Sequence, residues 1–88
     1  MIPSIQAVKI YLLLKGSPDT KFSSEDVSIL TGISPRTTRQ HLLNLFNDDN
    51  LDRDEIRDGY AQYLVYWFVK QNPVFERTLI TLSKRYNG

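Results

Sequence analysis

Apolar residues recur at helical spacing along most of this 88-residue chain. Ile5, Val8 and Leu12 share one face of a stretch from about Ser4 to Lys15, and Gly16 stands where a C-terminal cap is expected. Ser17-Pro18-Asp19-Thr20 then interrupts the pattern with turn-forming residues. Phe22 and Val27 flank Ser23 at the spacing of a hydrophobic staple, which makes Ser23 an N-cap. The short helix it opens is expected to bury Val27 and Leu30 and to stop at Gly32. A third helix starts with Ser34 as N-cap and Pro35 at the first helical position, where a missing N–H costs nothing. Its inner face is Thr38, Leu42, Leu45 and Phe46, spaced i, i+4, i+7, i+8.

Beyond Phe46 the pattern admits two readings. Asp58-Gly59 followed by a run rich in β-formers has the signature of a hairpin. Against it, Asp52 and Glu55 form a capping-box-like pair, and Leu51 with Ile56 gives a second staple. Ile56, Tyr60, Tyr63, Leu64, Trp67 and Phe68 fall on one helical face, and Asp52, Asp54 and Glu55 suit the positive end of a helix dipole. Gly59 counts against a helix by roughly 1 kcal/mol relative to alanine. A final helix opens at Asn72-Pro73, with Phe75, Leu79, Leu82 and Tyr86 inward, Lys84 and Arg85 near its C-terminus, and Asn87-Gly88 ending it. The expected fold is therefore mainly α: a three-helix core holding a helix-turn-helix, plus two C-terminal helices. The alternative is a winged helix with a β-hairpin at about 51–69. Residues 1–88 read as one domain, with 52–86 as a helical oligomerisation region.

Composition narrows the function. The chain is 41% hydrophobic and 24% charged, as ordinary globular domains are. It has no cysteine, which excludes disulfides, thiolate metal sites and cysteine nucleophiles and fits a reducing compartment. Tyr63 to Val69 is too short to cross a bilayer, and Ile10 to Leu14 lacks signal-peptide flanks, so a cytoplasmic domain away from membranes is expected. Net charge is only +1, distributed as +2 over residues 1–47, −4 over 48–59 and +3 over 60–88. Any nucleic-acid face must be local, with the acidic segment turned away from it.

The segment EDVSILTGISPRTTRQHLLNL resembles the reading head of bacterial helix-turn-helix regulators of the MarR and Lrp type. Val27, Ser28, Leu30, Thr31, Gly32, Ile33 and Ser34 match that pattern in order, and the small Ser28 suits close packing against the third helix. Thr38 departs from it, in a slot usually held by valine or isoleucine, so its hydroxyl needs a partner, expected in the backbone one turn back. The resemblance implies that Pro35, Arg36, Thr37, Arg39 and Gln40 form the exposed start of a recognition helix entering the DNA major groove. Arg36 and Arg39 would pair with guanine or bind phosphate, Gln40 would pair with adenine, and Ser34, Thr37 and the helix N-terminus would hold phosphates.

The remaining candidates are weaker. His41 lacks neighbours for metal binding or catalysis and reads as a boundary residue or an extra phosphate contact. Asp48, Asp49, Asp52, Asp54, Glu55 and Asp58 lack the glycine and terminal glutamate of a calcium loop. They read as a solvated linker and helix start, or as a site over 48–58 for a basic protein partner. Tyr60, Tyr63, Tyr66, Trp67 and Phe68 have helical spacing without interleaved basic residues, which favours core over base stacking. Residues 63–69 are apolar almost all round, which predicts a homodimer through the C-terminal helices. With no phosphate loop, metal cluster or activated nucleophile, no enzymatic activity and no cofactor are expected.

The function expected is double-stranded DNA binding by a small transcriptional regulator or DNA-positioning factor. Two competing readings are an interaction module of this fold that does not bind DNA, and a packaging factor. The latter follows from an architectural similarity to phage small terminase subunits, in which a compact helix-turn-helix precedes an aromatic-rich helix.

Overall fold

A computed structural model describes residues 3–87, with side chains in the last helix described through Lys84. In chain order the elements are α1 (Ile5–Gly16), β1 (Phe22–Ser23), α2 (Ser24–Thr31), α3 (Pro35–Asn47), β2 (Leu51–Asp58), β3 (Ala61–Phe68) and α4 (Pro73–Asn87). The three strands form one antiparallel sheet in the order β1-β3-β2.

The first helices follow their local signals. Ser4 caps α1 by accepting from the Ala7 N–H at 3.1 Å. Ser23 and Asp26 make a full capping box on α2, each side chain accepting from the other's backbone N–H. Gly32 ends α2 at φ 72°, a left-handed conformation that glycine adopts without the Cβ penalty. Ser34 and Pro35 open α3 as expected, and Thr38, Leu42 and Leu45 are buried beneath it. The Thr38 hydroxyl donates to the Ile33 carbonyl at 3.4 Å, and Ser28 Oγ donates to the same oxygen at 2.6 Å. That shared acceptor ties the turn to both helices.

Which faces are buried departs from the pattern in two places. α1 buries Ala7, Val8, Ile10, Tyr11 and Leu14, while Ile5 and Leu12, expected inside, are exposed. This helix is apolar on nearly every side, so its sequence does not select a face and the packing does. Leu30 is 62% exposed rather than buried, and Ile33 after the turn takes the core position.

The chief correction concerns residues 51–68. They form no helix but an eight-residue by eight-residue hairpin, so the fold is α+β and not mainly α. The Asp52/Glu55 capping box and the Leu51/Ile56 staple do not form. Asp52 and Asp54 instead accept from the N–H groups of Arg53 and Glu55. Gly59 has φ 63° while Tyr60 does not have positive φ, the sign pattern of a two-residue type II′ turn. The strand wins because alternate side chains meet different surroundings. Leu51, Tyr66 and Phe68 share the face that joins the core with Phe22, and β3 gains backbone partners on both sides. A helix would have satisfied its own hydrogen bonds but left that core open.

Asn72 caps α4 by accepting from Val74 and Phe75, and Phe75 stacks on Tyr11 at 4.7 Å between ring centres. Leu79 and Leu82 pack half-buried against the core, whereas the expected positions of Arg85 and Tyr86 lie outside the described side chains, as does Gly88. The Tyr11 hydroxyl donates to Glu76 at 2.9 Å and accepts from the Asn72 N–H at 3.1 Å, and Glu76 also pairs with Lys15. Hydrogen bonding from Lys15 holds the Glu76 carboxyl below the usual glutamate range, while burial pushes the Tyr11 hydroxyl up. Asn50, almost fully buried, donates to the Lys70 carbonyl and accepts from the Asn72 amide. These bonds clamp the start of the hairpin to the root of α4.

Candidate nucleic-acid interface

Burial of Thr38, Leu42 and Leu45 fixes the rotation of α3 about its axis. At 100° per residue the opposite side then carries Arg36, Arg39, Gln40, Leu43 and Asn47. All five are exposed, Leu43 to 38%. Arg36 and Arg39 lie one turn apart and enter no ion pair among the described residues. Gln40 is engaged, donating from Nε2 to Asn44 Oδ1 at 3.0 Å. Pro35 is exposed at the first helical position. Ser34 Oγ donates to Thr37 Oγ1 at 3.0 Å and accepts from the Thr37 N–H at 3.4 Å, so these two residues cap the helix. The six residues expected from the motif thus lie together on the first turns of α3. Leu43 and Asn47 extend the stripe, and the helical period alone was enough to find them.

The hairpin adds a feature that a helical reading of the segment hid. Residues directly opposite in the register share a face. Arg53, Glu55 and Arg57 alternate onto the face of Tyr66, whose ring meets Phe46 of α3 edge-on at 6.5 Å. Arg53 is held there, its guanidinium 4.0 Å from the centre of the Phe46 ring. Asp52, Asp54 and Asp58 alternate onto the opposite face. The period-two arrangement of charge in DRDEIRD was the available signal. It separates both arginines of the strand from three of its acids, and puts the arginines on the side that α3 occupies.

Other sequence candidates sort differently. His41 is half-buried in a shallow cleft between α3 and the starts of α1 and α4, beside Asp48 and Asn72. Among the described residues no three His, Cys, Asp or Glu side chains converge as metal ligands would. Tyr66 and Phe68 belong to the core side of β3, while Tyr60 is fully exposed at the hairpin tip. The aromatic-rich segment after the motif is a strand of the hairpin and not a helix, so the architectural similarity to small terminase subunits loses its basis. No described helix is long and apolar enough to cross a membrane.

A helix-turn-helix whose third helix is followed by a two-stranded wing, with a short strand between the first two helices, is the winged helix-turn-helix. Two solved structures share the arrangement. A possible transcriptional regulator from Methanosarcina mazei Go1 superposes with a TM-score of 0.74 at 13% identity, covering 97% of this chain and 74% of its own. A predicted DNA-binding transcriptional regulator from E. coli superposes with a TM-score of 0.55 at 26% identity, covering 90% of this chain and 75% of its own. No family profile and no curated protein matches the sequence. The first is described as a possible and the second as a predicted transcriptional regulator, and the likeness to the first, at 13% identity, is one of fold.

Proposed function

We propose that this protein binds double-stranded DNA by inserting the first turns of α3 into the major groove, and acts as a small transcriptional regulator in the cytoplasm. The observation that carries the reading is the pair Arg36 and Arg39, exposed and without an ion pair among the described residues, on the helix face opposite Thr38, Leu42 and Leu45. Either guanidinium suits bidentate contact to guanine or a phosphate contact, and Gln40 suits adenine once released from Asn44. Ser34, Pro35 and Thr37 form the N-terminal turn that approaches the phosphates. Arg57, on the α3 side of the wing, supports the same polarity.

A two-fold dimer would pair two such helices on successive half-sites. With residues 52–71 forming no helix, that reading rests on α4, which exposes Val74 to 47% and Ile80 to 58%. The test of DNA binding is fluorescence anisotropy with a random-sequence duplex at about 50 and 200 mM salt, because phosphate neutralisation makes affinity fall with salt. Wild type should bind more weakly at the higher salt. Arg36→Ala or Arg39→Ala should cost roughly 1–3 kcal/mol where the side chain reads a base. Absence of binding at the lower salt would overturn the proposal in favour of an interaction module of the same fold.

A further inference from the structure

The wing has a second face, and it carries chemistry that DNA binding does not use. On β3 the side chains turned away from the core are Tyr63, Val65 and Trp67; on β2 the same face carries Asp52, Asp54, Ile56 and Asp58. Val65 is only 7% exposed yet stands outside the main core cluster. It lies between Tyr63 and Trp67 along the strand, and the three give this face a small apolar strip. Tyr63 is 45% exposed beside it. The two rows differ in kind: β3 offers Tyr63 and Trp67, while β2 offers carboxylates, with Asp52 directly opposite Trp67 and with Asp54 and Asp58 on either side of Ile56, which faces Tyr63. Asp52, Asp54 and Asp58 enter no ion pair among the described residues.

A ring beside a carboxylate is the environment that a lysine or arginine side chain prefers, with its aliphatic stem and cationic head over the ring and its N–H groups on the acid. The place that Trp67 forms with Asp52 is taken from within the chain, which leaves Tyr63 with Asp54 and Asp58 diagonally across from it. Lys21, just before β1, lies with Nζ 4.7 Å from the centre of the Trp67 ring. The sheet also continues past its short edge strand. β1 pairs only with Val65 and Tyr66, so among the described residues Ala61 to Leu64 of β3 have no strand partner on that side. An extended segment can therefore add its backbone there and lay alternate side chains beside Tyr63, reaching across it toward Asp54 and Asp58.

We infer that the outer face of the wing is a docking surface for a basic, extended segment of a partner protein, with lysine or arginine at alternate positions. Charge decides the occupant. Three aspartates against Lys21 repel phosphate, so the face is not a second DNA surface, and a second copy would set the same carboxylates against each other. DNA on α3 and a basic protein segment behind the wing would then be held at once, on opposite sides of one sheet.

The test uses the full chain and a fluorescein-labelled peptide of alternating arginine and valine, with an alternating glutamate and valine peptide as control. Wild type should bind the arginine peptide, bind it more weakly at about 200 than at 50 mM salt, and ignore the glutamate peptide. Asp52→Asn/Asp54→Asn/Asp58→Asn should weaken peptide binding roughly tenfold, while anisotropy with duplex DNA shows binding retained or tightened. Amide chemical shifts should move at residues 61–67 and at the Trp67 indole, not on α3. Peptide binding indifferent to the triple substitution, or shifts confined to α3, would overturn the inference whatever the outcome of the DNA assay. So would a wild-type dimer in sedimentation equilibrium that Tyr63→Ala dissolves, because a second copy would then own the face.

Discussion

The helix-turn-helix and the wing satisfy their backbones in different ways. α2 and α3 carry their own caps: Ser23 with Asp26, Gly32 in the left-handed region, and Ser34 before Pro35 all act within a few residues. The wing has almost nothing of that kind. Its strands take their hydrogen bonds from each other, and β3 from β1 as well, over an eight-residue register closed by Gly59, and its inner face finds Leu51, Tyr66 and Phe68 a place only because α1 and α3 are already there. A region stabilised by short-range contacts keeps its form when its surroundings change. A region stabilised across strands depends on the body to which it is attached, and can present two different faces in return.

Mutations can strain this contrast, and the largest effect is expected in the shared core. Leu42→Ala removes a fully buried side chain from α3 and should cost about 2–5 kcal/mol, read as a lower urea midpoint. Ile56→Ala, half-buried on the outer face of the wing, should cost roughly 1 kcal/mol. Equal losses would mean that the wing is as deeply integrated as α3.

Next come the two glycines. Gly32 and Gly59 have φ of 72° and 63°, and a methyl group at either meets only open space, so the penalty is purely conformational. Gly32→Ala and Gly59→Ala should each lower stability by about 1–2 kcal/mol. A rise in melting temperature for Gly59→Ala would instead indicate helix at that position. Ser34→Ala removes the cap of α3 and should cost about 1 kcal/mol, with fraying of the turn that carries Arg36.

The smallest effect is the pH response of the clamp at α4. Lys15 lowers the carboxyl of Glu76, so its stabilising contribution is fully present above the ordinary glutamate value of about 4.3 and decays as pH falls through the lowered value. Glu76→Gln should flatten that part of the stability profile by less than about 1 kcal/mol. An unchanged acid limb of the unfolding curve would show that the Lys15 pair contributes nothing.

The candidate recognition residues were legible because their positions follow from local rules. A cap, a proline at the first turn and a period of 3.6 suffice to point Arg36, Arg39 and Gln40 outward once Thr38, Leu42 and Leu45 point in. α1 was less legible, since eight apolar residues among twelve leave several faces equally suitable, and Ile5 and Leu12 ended outside. Leu30 ended outside because Ile33, beyond the turn, filled the place it was expected to take.

The wing marks where local reasoning stops. Residues 51–68 contain real helix signals and real strand signals, and both are short-range. By itself the sequence determined the helix-turn-helix, its caps and the outward arginines, because each depends on neighbours within about one turn of chain. That 51–68 is a hairpin, and with it the separation of Arg53 and Arg57 from Asp52, Asp54 and Asp58, follows from contacts across the fold. The reason is physical: a strand's stability resides in partners distant along the chain, here β1 and the core of α1 and α3, and no local propensity encodes their arrival.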